Sequence, residues 1–169
     1  MRGMSTPATP NSRERVRNAL RAVGLDCDIV ETPDSARTAV EAAAAVSARV
    51  GQIVKSLVFL CDDRPVLALV AGDNRLDEAR LAALAGGTIA RADAARVREY
   101  TGFAIGGVAP VGSLQPLPVF FDADLLQHEF VWAAAGAPQA VFRIEPRALA
   151  DAAGATVAEL ALREPTAGA

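Results

Sequence analysis

"GQIVKSLVFLCDDRPVLALVAG", residues 51–72, holds two apolar runs on either side of a polar break. Runs such as "IVKSLVFL" and "PVLALVAG", joined by "CDDR", predict an antiparallel hairpin. Both runs are nearly continuous in apolar residues, so both faces of each strand are expected to be covered. One residue interrupts this pattern: Lys55 is the single lysine among 17 basic side chains. Side chains alternate along a strand, so Lys55 shares a face with Leu57 and Phe59, and Ser56 points the other way with Val58. A lysine there either runs its stem along the apolar wall to water or holds its charge at the rim of a pocket. Its compact ammonium fits sites that refuse the wide fork of arginine.

Outward from the hairpin, the elements mix without a regular βαβ alternation. Ser12 is placed to cap a helix from Arg13 to about Val23, with Val16, Leu20 and Val23 at helical spacing and Gly24 as the stop. "CDIVET" reads as a short strand ending at Pro33. Thr38 to Ala48 reads as a second helix, packing through Val40, Ala43, Ala44 and Ser47. After the hairpin, "RLDEARLAALAG" predicts a helix with Leu76, Ala79 and Leu84 inward, closed by Gly86 and Gly87. "TIARA" is a short strand, and Asp93 caps a helix through Tyr100. "GFAIGGVAPVGSLQPLP" is a structured loop. "VFFD", "FVWAAA" and "AVFRI" read as strands, and "EPRALADAAG" as a helix with proline in its first turn. The predicted class is α+β: a mixed, mostly antiparallel curved sheet or partly open barrel surrounded by helices.

With 169 residues, 51% of them apolar, the chain is long enough for one core without disulfide staples. The single domain is expected over residues 12–162, with flexible ends at 1–11 and 163–169. No apolar run approaches the length of a membrane span, and the N-terminus lacks a signal-peptide core. Cys27 and Cys61 read as reduced, partly buried thiols, which points to the cytoplasm. The net charge, 17 − 20 = −3, argues against a non-specific DNA coater. "NSRERVRNALR" concentrates arginine locally and reads first as a solvated helix face.

The chemistry is narrowed by what the sequence lacks. His128, the one histidine, has no G-x-S-x-G elbow to serve and no cysteine or histidine at metal-ligand spacing. There is no Walker loop and no G-x-G-x-x-G opening a helix. No cofactor and no metal is therefore expected. What remains is Lys55 and "IGGVAPVG". Gly106 and Gly107 let the main chain approach a ligand or take positive φ, and Pro110 stiffens the loop. Such a loop presents N–H groups to a carbonyl or phosphate, or is simply a tight turn.

Together these pieces resemble the YbaK family, the prolyl-tRNA synthetase-associated editing domains. The likeness rests on "VGQIVKSLVF", "GDNRLDEARLAAL", "YTGFAIGGVAPVG" with its G-x-x-x-P motif at Gly106 to Pro110, "PVFFDADLL" and "VWAAAGAPQAVFRIEPRAL". Five blocks in the same order span roughly residues 12 to 162. The resemblance implies hydrolysis of wrongly aminoacylated tRNA without metal or cofactor, by a free-standing domain or one fused to a synthetase. It implies that Lys55 engages the substrate carbonyl or the phosphates of the tRNA 3′ end, and that Gly106 binds the aminoacyl-adenosine through its backbone. A substrate group, or a water held by the substrate, makes the attack. Ser56, Gly107, Pro110 and Asp122 are expected around the bound end. Asp122 equally reads as the cap of the turn into "ADLL", and Ser56 as a packing or hydrogen-bonding residue. The implied partners are the aminoacyl-tRNA 3′ end and a synthetase, with no membrane and no DNA. The rivals are a non-catalytic module for an aminoacyl-adenosine or nucleotide-like ligand, and a structural partner of a synthetase.

Overall fold

The computed structural model describes residues 11–163. The elements run α1 (Ser12–Ala22), β1 (Ile29–Glu31), α2 (Ala39–Ala45), β2 (Val54–Cys61), β3 (Arg64–Ala71), α3 (Glu78–Ala85), β4 (Ile89–Arg91), α4 (Ala94–Thr101), β5 (Val119–Asp122), β6 (Val131–Ala137), β7 (Ala140–Ile144), α5 (Pro146–Ala152) and β8 (Thr156–Ala158). Of the expected flexible ends, residues 1–10 and 164–169 lie outside the described residues. Asn11 and Arg163 are described: Asn11 caps α1, and Arg163 bonds to Asp124 at 2.9 Å.

The hairpin forms as read. β2 and β3 pair antiparallel from Val54↔Ala71 to Cys61↔Arg64. Asp62 and Asp63 make the turn at φ 47° and 66°. Positive φ at both central residues matches the twist of the flanking strands. Asp62 also accepts the Thr88 N–H at 3.0 Å, which ties the turn to β4.

Two sheets result, and they do not close into a barrel. The larger has the order β4-β2-β3-β5-β8, the smaller β1-β7-β6. The β3–β5 and β5–β8 pairs are parallel and the other pairs antiparallel. The main core lies between the sheets and under α1 and α5, with Phe103, Phe121, Phe142 and Leu125 fully enclosed. A second core, around Phe59, Leu81 and Leu160, fills the space between α3 and the other face of the larger sheet. β3 is buried on both faces from Val66 to Ala71, as its composition predicts. β2 is not: Lys55, Ser56 and Leu57 are half-exposed in an otherwise buried strand.

Several local expectations change. Asn11, not Ser12, caps α1, because its side chain accepts the Glu14 N–H at 2.9 Å. Val23 ends outside the packed face, 53% exposed. α2 is shorter than Thr38 to Ala48. Thr38 is its cap, paired with Glu41 in a capping box, and among the expected packing residues only Ala43 is buried. Val40, Ala44 and Ser47 face outward because α2 leans over a cavity rather than a core. In α3 Leu81 is the residue that packs inward, in the second core; Ala79 and Leu84 are exposed. β8 was not anticipated in the sequence.

The glycine-rich segment after α4 is held at both ends. Arg15 of α1 donates to the carbonyls of Gly102 at 3.0 Å and Gly112 at 3.3 Å, and lies 4.8 Å over the Phe103 ring. Val108, Ala109 and Val111 are buried in the main core region, so between Gly102 and Gly112 only the tip at Ile105 and Gly106 is exposed. The arginine cluster of α1 is thus not one solvated face: Arg15 is a structural clamp, and Arg13 pairs with Glu31 at 2.7 Å.

Leu81 is 0% exposed and anchors the second core away from the cavity. Leu81→Ala is expected to lower stability by roughly 2–5 kcal/mol in urea unfolding, with the cavity described below left intact.

Candidate active site

β2 starts beside the smaller sheet and ends beside β4. β4 covers only Phe59 to Cys61, and one bridge, Ile53↔Trp132, ties the start of the strand to β6. The edge between them has no strand partner. Val58 turns its carbonyl to the Ala92 N–H on that side, so alternation directs the N–H and C=O of Ser56 to the same open edge. A cavity of about 390 Å³ opens there.

Three walls enclose it. α2 contributes Ala39, Ala42 and Val46. The smaller sheet contributes Trp132, Ala134 and Val141 from its outer face, while Val131, Ala133 and Ala135 point into the main core. The third wall is Lys55, Ser56 and Gly106. Small side chains face one another here, and that leaves the hollow. A smaller hollow of about 220 Å³ lies on the far side of the loop tip and shares Ser56, Leu57, Gly106 and Val108 with the first.

Three polar or bare main-chain positions, Lys55, Ser56 and Gly106, lie on the third wall. Gly106 sits at φ +87°, and no atom lies within 4 Å of where a Cβ would be, so its main chain is bare toward the cavity. Its N–H donates to no group among the described residues, whereas the next N–H, of Gly107, closes a turn onto Ala104 at 2.9 Å. The Ser56 hydroxyl is buried and has no hydrogen-bond partner among the described residues. A buried hydroxyl without a partner costs about 1–3 kcal/mol, which makes it a candidate to receive a ligand or water.

The Lys55 ammonium donates to the carbonyl of Asn74, just past the end of β3. An ammonium has three N–H donors, so others remain for a ligand. Burial pushes its pKa below the ordinary lysine value, and the charges of Asp73 and Asp122 partly offset that. Asn74 is itself fixed. Its side-chain amide donates to Asp122 at 2.9 Å and to Asp124 at 2.7 Å. Asp122, 1% exposed, also accepts the N–H of Ala71 at 3.1 Å and of Asp124 at 3.0 Å.

Of the residues singled out in the sequence, Lys55, Ser56 and Gly106 meet at one cavity. Asp122, Gly107 and Pro110 do not line it. Asp122 is consumed by three hydrogen bonds and acts on the site through Asn74. Gly107 is needed where the loop crosses β6, since a Cβ there would lie 2.8 Å from the Ala137 backbone. Pro110 is buried at a separate surface depression. Sequence reasoning missed Trp132, Ala134 and the cavity side of α2. "VWAAA" is apolar throughout, so nothing in it marks the face that lines the cavity. Cys27 and Cys61 are free thiols, and no group of three metal-ligating side chains occurs among the described residues. No described helix is long and apolar enough to cross a membrane.

Residues 33–152 match the aminoacyl-tRNA editing domain family, and the chain belongs to it. A solved structure whose proposed role is that of a trans-editing enzyme for prolyl tRNA synthetase superposes with a TM-score of 0.86 at 50% identity, covering 92% of this chain and 100% of that one. The uncharacterized protein YwhH of Bacillus subtilis (strain 168) is 28% identical over 141 residues, 83% of this chain and 90% of that protein. A proline–tRNA ligase of Maridesulfovibrio salexigens is 42% identical over 76 residues; these make up 44% of this chain and 13% of the ligase.

Two outcomes follow from this hydrogen-bond cluster. Asp122→Ala leaves the N–H groups of Ala71 and Asp124 and the Asn74 amide short of an acceptor, so urea unfolding should show a loss of about 1–3 kcal/mol for each buried group stranded. Asp124 is held below its ordinary value of 3.8 by the Asn74 hydrogen bond first and by Arg163 second. Its contribution is therefore full above 3.8 and is lost as pH falls through the depressed value. Acid unfolding of Asp124→Asn should lack that part of the pH dependence.

Proposed function

We propose that this chain is an aminoacyl-tRNA deacylase that hydrolyses the ester of a misacylated tRNA in trans. The observation that carries the reading is that Lys55, Ser56 and Gly106 line one cavity, in a chain of the editing-domain family.

An aminoacyl ester is already activated, so the site must orient water and stabilise the oxyanion. Water adds to the ester carbonyl, charge gathers on its oxygen, the C–O bond to the ribose breaks, and the ribose hydroxyl leaves with a proton. Fixed donors aimed at the developing oxyanion are worth about 3–4 kcal/mol each in such a site. Gly106 and Ser56 supply neutral donors, and Lys55 supplies charge. No histidine, carboxylate or thiol lines the cavity among the described residues. Proton removal from the water therefore falls to the substrate, whose ribose hydroxyl lies beside the ester. The aminoacyl side chain faces Trp132, Ala134 and α2, and the partner is the 3′ end of the tRNA. The likeness to a trans-editing enzyme for prolyl tRNA synthetase makes a synthetase the natural second partner.

The same lack of a protein base is what a binding module would show, and turnover decides between the two. In a deacylation assay over a panel of mischarged tRNAs, the parent should release at least one amino acid, and Lys55→Ala should slow that release roughly 10²–10³-fold. Binding of a stable aminoacyl-adenosine analogue without turnover of any ester would instead favour the module. The alkaline limb of kcat/KM should fall below 10.5, since Lys55 loses its proton at a lowered pKa, and Lys55→Ala should lack that limb.

A further inference from the structure

The outer face of the smaller sheet continues past the cavity. Strand alternation puts Phe130, just before β6, on the same face as Trp132 and Ala134, and Arg143 of β7 is in register with Trp132. The Arg143 guanidinium lies 4.6 Å over the Phe130 ring. The Phe130 carbonyl is held by the Gln52 side chain at 3.0 Å, and Arg49, three residues earlier, reaches the His128 ring at 3.3 Å. Arg37 also lines the cavity. From the cavity outward the strip therefore reads Trp132, Arg143 over Phe130, then Arg49.

Its charge is unopposed. Arg37, Arg49 and Arg143 make no salt bridge with any described residue, although the whole chain carries −3. The carboxylates nearest in sequence are Asp34 and Glu41 for Arg37, whose Nε donates to the Asp34 carbonyl at 3.4 Å, and Glu145 for Arg143, just outside β7. Arg17, Arg64, Arg75, Arg98 and Arg147 also make no salt bridge with a described residue, so what marks the strip is the interleaving of its arginines with Phe130 and Trp132. Aromatic faces interleaved with free cations suit one kind of partner, a single-stranded nucleic acid, whose bases stack and whose phosphates need positive charge. A guanidinium plane is itself a stacking surface for an RNA base.

We propose that the single-stranded RNA leading to the esterified nucleotide lies along this strip. Its bases stack on Trp132 and on the Arg143 guanidinium, and its phosphates meet Arg49 and Arg37. The inference rests on the deacylase reading for the direction of the strand, since the ester must enter the cavity beside Trp132.

The test uses the full chain and a short, unacylated single-stranded RNA ending in the tRNA 3′ sequence. Trp132 is the only tryptophan, so its emission reports stacking without a label. The RNA should quench it, with an affinity that falls as salt rises. The double variant Arg49→Gln, Arg143→Gln should flatten the slope of log K against log salt by about 0.7 for each phosphate that is no longer neutralised, and should raise KM for aminoacyl-tRNA more than it lowers kcat. Arg143→Lys should keep the slope yet bind more weakly, because its charge remains and its stacking plane does not. Arg64→Gln, at the hairpin turn and away from the strip, should change neither property. If the double variant keeps the parent's slope and affinity, the strip is not an RNA track; a parent that still deacylates tRNA would then leave the enzymatic reading standing. A parent that hydrolyses no ester, but whose salt slope flattens in the double variant, would support the strip and overturn the deacylase.

Discussion

The buried carboxylate of Asp122 is the constraint on which the site depends. It lies at the end of β5, accepts a main-chain N–H from the end of β3, and holds the side chain of Asn74. Asn74 in turn offers its carbonyl to Lys55. One carboxylate therefore joins two parallel strands and sets where the only lysine of the chain stops. An uncompensated carboxylate would not tolerate such burial; three donors make it tolerable. The negative charges of Asp73 and Asp122 also keep the ammonium charged against the pull of burial.

The second half of the site is positioned by the opposite chemistry. The Gly106 loop has no strand or helix of its own, and is fixed by burying Phe103, Val108 and Val111 and by the clamp of Arg15. Rigid flanks and a bare tip suit catalysis by preorganised donors, because the N–H groups need not move as charge develops. Lys55 and Gly106 reach the cavity from distant parts of the sequence, each held by its own set of buried partners.

Much of this was legible in the residues. The hairpin followed from two apolar runs and a polar break, and Lys55 stood out because no other lysine competes with it. Gly106 followed from its loop. Asp122 was visible, but its role was not. A carboxylate at a strand end reads alike whether it faces a ligand or accepts hydrogen bonds, and only the third dimension brings Asn74 to it. The phases of α2 and α3 were misread for a related reason. In alanine-rich helices apolar spacing is nearly uniform, so the pattern does not say which side turns inward, and packing against the rest of the fold decides it. Trp132 and Ala134 were hidden because a strand that serves a core on one face and a cavity on the other looks like any buried strand. The split into two sheets was invisible, since pairing partners are set by long-range contacts.

That split has a mechanical consequence. Within each sheet the backbone ladders fix the spacing of the strands, but between the start of β2 and β6 only the Ile53–Trp132 bridge crosses. The hollow straddles this seam. Its aperture is governed by how alanine and valine side chains nest together, and dispersion contacts yield by small steps where ladder hydrogen bonds break all at once. On this side the lining of the hollow is therefore alanine and valine side chains, not ladder hydrogen bonds.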